Sequence, residues 1–556
     1  MSFEGFVPWP EDLAHAYRAA GVWPGRTMGS YLWEWAETRG DRVAVVDGTT
    51  RLTYRDLAVR ADALAVGLAG RGLERGDTVL VQLPNTWEFV VVTAALLRLG
   101  VVPTMMLPPH RDHELTAIGR HVGARALVVP GTWRGFDHQE LAFRVAAALP
   151  GPAEVLVVGD DVAGGAVDVR ALLATDGDTD GAVEERRRWL DEHGPAPSDI
   201  AVFLLSGGTT GVPKVISRTH DDYLFNIVHC ARACAFGEDT VYLAVLPAGH
   251  NFPLASPGLL GALHAGGRVV LSASPRPEPV FAAIEAERVT ATSAVPAVVL
   301  KWMDAAATLK PDLSSLRYLH VGGSMLAPDI AERMARTLDC RLQQVYGMAE
   351  GLVCYTPPDA SDEVAFGTQG PPVSAFDELL IVDEDGTPVP PGGTGELLTR
   401  GPGTPRGYYG VPDQNRLSFT EDGWFRTGDL VRLTPEGHAV VCGRVKDLIN
   451  RGGEKISAGE VETLIQELPE VAEVAAVPAP DPVYGERVCV FVRFHGGCSL
   501  SLAEISRLLT ERGLAAFKIP ERLEVLTALP HTAVGKADKK ALKALLADRN
   551  PLPRAA

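Results

Sequence analysis

The sequence predicts an α/β protein with a large N-terminal domain of two αβ subdomains with parallel-type sheets plus a β-rich subdomain, followed by a small α+β C-terminal domain. Three observations carry that reading. Short apolar runs alternate with helical patterns through the first 160 residues and again between residues 200 and 323. Residues 378–443 are rich in Gly and Pro with short strands such as Leu379-Leu380-Ile381-Val382 and Gly395-Glu396-Leu397-Leu398. Beyond Arg444 a compact mixed pattern resumes and stops near Leu545. The boundaries expected are an N-terminal domain over 1–443, a junction at 444–447, a C-terminal domain over 448–545 and a frayed tail over 546–556.

Taken in order, Val43-Ala44-Val45-Val46 reads as a strand, and residues 54–73, with alanine and leucine at three- and four-residue spacing, as an amphipathic helix. Thr78-Val79-Leu80-Val81-Gln82-Leu83 is a second strand and residues 87–99 a second helix, the rhythm of βαβ units. Ala126-Leu127-Val128-Val129 and Glu154-Val155-Leu156-Val157-Val158 continue it. Residues 159–198 turn acidic and irregular and read as a surface excursion. Ala201-Val202-Phe203-Leu204-Leu205 then feeds directly into Ser206-Gly207-Gly208-Thr209-Thr210-Gly211-Val212-Pro213-Lys214. This is a buried strand ending in a tight turn, whose unblocked N–H groups and hydroxyls can face an anion, with Lys214 adding a point charge. A Walker A loop is disfavoured, because Lys214 is followed by Val215 and lacks the preceding Gly. Three further runs, at 241–246, 267–271 and 318–323, end in Gly, Pro or polar clusters, and each can bring side chains to the sheet end where ligands of open α/β folds bind.

At 556 residues the chain is too long for one core and predicts two or more domains. The net charge of −18 argues against general binding to nucleic acid or anionic membranes, which reward clustered Lys and Arg. The seven cysteines are scattered without a CxxC pair, so neither a disulfide framework nor a zinc site is expected; Cys230 and Cys234, four apart, read as small core filler on one helix face. The first residues lack the pattern of a secretory signal, and the apolar stretch at 90–106 is broken by Arg98, Gly100 and Pro103, so a cytoplasmic protein without a membrane span is expected. No internal repeat is visible.

Several separated motifs, in order along nearly the whole chain, resemble those of the acyl-adenylate-forming superfamily, which includes acyl-CoA synthetases, adenylation domains of non-ribosomal peptide synthetases and firefly luciferase. Within it the chain most resembles the stand-alone aryl-acid AMP ligases of siderophore pathways. That likeness rests on Arg218-Thr219-His220-Asp221-Asp222-Tyr223, on His250-Asn251-Phe252-Pro253-Leu254-Ala255-Ser256-Pro257-Gly258 and on Tyr346-Gly347-Met348-Ala349-Glu350-Gly351-Leu352-Val353. The resemblance implies a carboxylate attacking the α-phosphorus of ATP and expelling pyrophosphate, with cationic and N–H groups neutralising two anions in a water-poor site.

On that resemblance, Ser206, Gly207, Gly208, Thr209, Thr210 and Lys214 serve the leaving phosphates and Glu350 holds Mg²⁺. Asp429, in Arg426-Thr427-Gly428-Asp429, accepts from the ribose hydroxyls, and Arg444 adds a nucleotide contact. Gly323, Ser324, Val345, Tyr346 and Gly347 line the adenine and acyl pocket; relatives commonly have Ala where Ser324 stands. Lys536 matches the catalytic lysine that bridges carboxylate and α-phosphate. Asp447 matches the hinge about which the small, mobile C-terminal domain swings after adenylation, bringing Gly452 and Gly453 to a tunnel for a phosphopantetheine thiol.

His250 matches the gate between acid site and tunnel. Asn251 stands where amino-acid-activating relatives carry an Asp for the substrate ammonium; a neutral amide instead suits a hydroxyl ortho to the carboxylate. Phe252, Ala349 and Val353 would wall a flat ring, with Ser256 offering a hydrogen bond at its far edge. These readings imply 2,3-dihydroxybenzoate as the acid and a phosphopantetheinylated aryl carrier protein as the acceptor, the protein being a monomer or homodimer. Salicylate, 3-hydroxypicolinate and 3-hydroxyanthranilate stay open as substrates, coenzyme A as acceptor, and a non-catalytic adenylate-binding regulator as the reading from another class.

Overall fold

A computed structural model of the chain describes residues 4–206, 213–323, 326, 328–383, 385–444, 448–530 and 537–549. The expected α/β class with parallel sheets is what it shows. One seven-stranded sheet runs, in spatial order, Lys214–Thr219, Ile200–Ser206, Val102–Met105, Thr78–Val81, Ala126–Pro130, Glu154–Val158, Val167–Asp168. A second, of eight strands, runs Val353–Tyr355, Arg341–Gly347, Tyr318–Gly322, Ala291–Ala294, Val241–Ala244, Arg268–Leu271, Val43–Asp47, Thr50–Thr53. Antiparallel pairs occur only toward the sheet edges: Ser206 lies opposite Lys214, Gly347 opposite Val353, and Asp47 opposite Thr50. Interior strands such as Thr78–Val81 and Ala126–Pro130 are buried at every position, which is why they read as unbroken apolar runs.

Helix Tyr54–Ala69 starts at a reciprocal cap: Thr53 Oγ1 accepts from the Asp56 N–H at 3.0 Å, and the Asp56 carboxylate accepts from the Thr53 N–H at 2.8 Å. It ends four residues before the expected 73, because the Gly70-Arg71-Gly72 segment turns, with Gly72 at φ +87°. The acidic excursion differs more. It carries the short helix Val169–Leu172 and the helix Asp180–His193, capped by Thr179. Leu190 is this longer helix's buried residue, and ion pairs tie it down: Arg187 to Glu37 at 2.7 Å, Asp191 to Arg98 at 2.6 Å. A helix held by charges has no apolar stripe, and its polar composition reads as loop.

Cys230 and Cys234 are fully buried as expected, in a cluster with Phe252, Val345, Val353 and Tyr355. Four antiparallel strands, Glu378–Val382, Gly395–Arg400, Phe425–Leu433 and Ala439–Arg444, form the β-rich part. After Leu448 a five-stranded sheet (Glu454–Ser457, Leu448–Arg451, Gly485–Phe494, Val471–Asp481, with Arg522–Val525 alongside Gly485–Phe494) packs on helices Ala458–Gln466 and Leu502–Glu511 around Ile449, Val461, Val490 and Ile505. Among the described residues no helix is long and apolar enough to cross a membrane.

Candidate active site

Strand ends from both large sheets converge on one cavity of about 210 Å³. Ser206, Gly322 and Gly347 close their strands there, with Gly323 and Val345 beside them; the segment from Leu246 to Asn251 lies beyond a fourth strand end. The small domain closes the cavity with Gly452, Gly453, Glu454, Glu460, Phe517 and Lys518. Gly453 comes so near that a Cβ on Gly323 would stand 3.1 Å from its Cα, and one on Gly453 itself 2.9 Å from Val295. Both glycines also have left-handed backbones, φ +88° and +97°, so no other residue fits this approach.

The apolar side is built by the short helix Asn251–Ala255 and the segment Val345 to Val353. His250 starts that helix: its Nδ1 accepts from the Phe252 N–H at 3.2 Å, while the ring is exposed at the cavity. Asn251 Oδ1 accepts from the Tyr223 phenol at 2.8 Å, and its Nδ2 donates to Ser256 Oγ at 3.4 Å. Burial pushes the Tyr223 phenol up, so it stays a donor. The Asn251 NH₂ is thereby turned to the Ser256 side. Ser256 is itself fixed: its carbonyl accepts from the Tyr355 phenol. Ala349 is held from behind, its carbonyl accepting from Arg218 at 2.9 Å, and Arg218 is fully buried against Asp222.

On the polar side Tyr408 is the hub. Its phenol donates to Glu350 Oε1 at 2.8 Å and is also hydrogen-bonded with Ser206, and Lys214 Nζ lies 4.4 Å from its ring centroid. Burial and the Glu350 charge keep that phenol protonated. With one oxygen so occupied, Glu350 can offer the other as a hard ligand. Among the described residues no group of three or more His, Cys, Asp or Glu could hold a metal alone. A single Glu350 oxygen is the kind of ligand a hard cation such as Mg²⁺ takes from a protein when a bound substrate and water supply the rest of its shell. Further along, Tyr346 donates to Asp429 Oδ2 at 2.9 Å, and Arg444 lies opposite Asp429 in the strand register.

The cavity sets Ser206 and Pro213, which flank residues 207–212, and the carboxylates of Glu350, Glu454 and Glu460 against an apolar wall that includes Phe252, Val345 and Val353, a lining that suits a ligand with polar and apolar parts. The sequence profile of the AMP-binding enzymes matches residues 32–409, and that of their C-terminal domain residues 460–536. The chain belongs to the AMP-binding enzyme family. It is 55% identical to a Streptomyces protein named salicylyl-CoA synthase / salicylate adenylyltransferase, over 98% of both chains. It is 46% identical to the 2,3-dihydroxybenzoate-AMP ligase of Bacillus subtilis, again over 98% of each. The solved apo structure of Mycobacterium smegmatis MbtA superposes with a TM-score of 0.74 at 44% identity, covering 97% of this chain and 98% of that one.

Of the residues expected at the family site, Ser206, His250, Asn251, Phe252, Ser256, Gly323, Val345, Gly347, Ala349, Glu350, Val353, Gly452 and Gly453 line the one cavity. Lys214, Tyr346 and Asp429 are not among its lining residues. Gly207, Gly208, Thr209, Thr210, Ser324, Asp447 and Lys536 lie outside the described residues, as does the side chain of Arg444. Sequence reasoning assigned no role to Tyr223, Tyr408 or Arg218. Tyr223 and Arg218 belong to a motif used for the resemblance, but the contacts by which they reach the site, to Asn251 and to the Ala349 carbonyl, span 28 and 131 residues.

Proposed function

We propose that this chain activates an aryl carboxylic acid bearing an ortho hydroxyl, best fitted by 2,3-dihydroxybenzoate, as an aryl adenylate with release of pyrophosphate. It then passes the aryl group to the phosphopantetheine thiol of an aryl carrier protein. The observation that carries the reading is Asn251 at the cavity, its oxygen held by Tyr223 and its NH₂ turned to Ser256, which lines the same cavity. A neutral amide cannot balance a substrate ammonium, but it satisfies a hydroxyl beside the carboxylate. The names of the two relatives above both denote benzoates with a 2-hydroxyl.

In this reading the carboxylate oxygen of the acid attacks the α-phosphorus, the bond to the bridging oxygen breaks, and pyrophosphate leaves toward Ser206, residues 207–210 and Lys214. Glu350 holds Mg²⁺, which when bound neutralises phosphate charge as a Lewis acid. Tyr408 fixes the Glu350 carboxylate, Asp429 accepts from the ribose hydroxyls, and Lys536 sets its charge between the two reacting anions. Rotation about Asp447 then brings Gly452 and Gly453 to the cavity, and His250 gates the thiol as it displaces AMP.

A second reading, salicylate with coenzyme A as acceptor, is favoured by the name of the 55% identical relative. The test incubates the protein with ATP, Mg²⁺ and 2,3-dihydroxybenzoate plus either coenzyme A or a phosphopantetheinylated aryl carrier protein, and weighs the products. Thioester on the carrier protein is expected. Thioester on coenzyme A alone supports the second acceptor, and release of no pyrophosphate with any aryl acid points to a non-catalytic adenylate binder.

A further inference from the structure

Among the described residues the small domain meets the large one at several points, and Glu460, Phe517 and Lys518 line the cavity together with the glycine pair. At the cavity, Asn450 Nδ2 donates to the Gly323 carbonyl at 2.8 Å beside the Gly323–Gly453 contact. From the cavity wall Lys518 reaches the first turn of helix Asp112–Val122. There Glu114, with no exposed surface, accepts from the Ala515 N–H at 3.1 Å and from Lys518 Nζ at 3.4 Å. Lys518 is 4% exposed and also donates to Glu460 Oε1 at 2.9 Å, and His113 Nε2 stands 3.6 Å from that same oxygen. Gly513, at φ +80°, lets the segment pass close: a Cβ there would be 3.2 Å from the His113 nitrogen.

A lysine buried with two carboxylates is poor stabilising material, because removing three charges from water costs at least as much as their attraction returns. Such a cluster is better suited to fixing one arrangement than to adding stability. Three features fit that use. It spans the boundary between two units, so it exists only while they are docked. Glu114 is oriented independently of the small domain, since its other oxygen accepts from the Arg111 N–H at 3.0 Å as a helix cap. Glu460 lies in the helix Ala458–Gln466, directly after the strand that begins at Glu454, so Lys518 is tied through it to the glycine pair at the cavity.

We propose that Lys518 and Glu114 form an interdomain latch that positions Gly452 and Gly453 on the cavity for transfer of the aryl group to a thiol. The latch rests on the thiol-transfer reading for its use, but its effect on docking can be measured without it. Undocking returns Glu114 to water while Lys518 keeps Glu460, so the latch can open once in each turnover.

The experiment uses the full chain, with donor and acceptor dyes on its two exposed cysteines, Cys442 on the large domain and Cys498 on the small one. Energy transfer is compared for the native protein, Glu114→Gln, Lys518→Gln and the double variant. Thioester formation from supplied aryl adenylate and ATP–pyrophosphate exchange are measured on the same proteins. Glu114→Gln, which keeps the helix cap, is expected to shift the energy-transfer distribution and to slow thioester formation by about 5- to 150-fold, leaving exchange within about twofold. The double variant is expected to be no worse than the poorer single one, as for two members of one contact. Unchanged energy transfer, or equal losses in both half-reactions, would overturn the latch. A native protein that loads no thiol would instead overturn the transfer reading, with the energy-transfer comparison still judging the latch.

Discussion

The phenol of Tyr223 donates to the side-chain oxygen of Asn251 at 2.8 Å, and this bond sets which face of the amide the ring slot meets. Without it the amide is free to turn over and present its oxygen, which repels the oxygen of an ortho hydroxyl already bonded to its own carboxylate. Tyr223→Phe is therefore expected to lower the preference for salicylate over benzoate by about fivefold, roughly 1 kcal/mol, in kcat/KM for ATP–pyrophosphate exchange. An unchanged ratio would show that Asn251 is oriented by something else.

Ser256 is the proposed partner of a second ring hydroxyl. It is 5% exposed, at the far side of the Asn251 amide. In Ser256→Ala a 3-hydroxyl would be buried without a partner, so 2,3-dihydroxybenzoate should lose about 1–3 kcal/mol relative to salicylate, or about 5- to 150-fold. Competition between the two acids for one enzyme reads the ratio directly; the same ratio in native and variant removes Ser256 from the account.

Glu350 and Tyr408 predict a graded Mg²⁺ dependence. Glu350→Gln removes the ligand charge, and Tyr408→Phe only the hydrogen bond that aims it. The Mg²⁺ concentration for half-maximal exchange should rise in both, by about tenfold or more for Tyr408→Phe, since losing an outer partner typically costs 10- to 100-fold in metal affinity, and by more for Glu350→Gln. If the order were reversed, Glu350 would not be the ligand.

His220 makes acid stability a test of the core. It is fully buried, its Nδ1 accepts from the Met28 N–H at 3.2 Å, and among the described residues Nε2 has no partner. Burial pushes it down to about 4 from an ordinary 6.5. A folded-state value below the unfolded one means that the unfolded chain takes the proton first. The contribution, on the order of a few kcal/mol, is thus complete above pH 6.5 and is lost as pH falls toward 4. His110, at about 4, and His320, at about 3, act in the same sense. Between pH 7 and 4.5 the Tm of His220→Gln should fall less than that of the native protein. Parallel curves would mean that His220 does not titrate in this window.

What the sequence made legible follows from where each signal is stored. Strands such as Ala126–Pro130 are covered on both faces, so their burial is written in the residues themselves. The helix Asp180–His193 escaped because ion pairs to Glu37 and Arg98 hold it, and a charged surface looks alike in loop and helix. At the site, Asn251, Ser256 and Glu350 fall in local runs and could be read from them. Their supports could not: Tyr408 is 58 residues from Glu350, and Lys518 is 404 residues from Glu114. No local pattern encodes such a meeting; topology alone produces it.

The most direct test of the central claim is ATP–pyrophosphate exchange by the native protein across 2,3-dihydroxybenzoate, salicylate, 3-hydroxypicolinate, 3-hydroxyanthranilate, benzoate and phenylalanine. The account predicts exchange with the ortho-substituted aryl acids, highest for 2,3-dihydroxybenzoate, weak exchange with benzoate and none with phenylalanine, whose ammonium Asn251 cannot balance. Exchange with phenylalanine or benzoate equal to or above that with 2,3-dihydroxybenzoate and salicylate would contradict it.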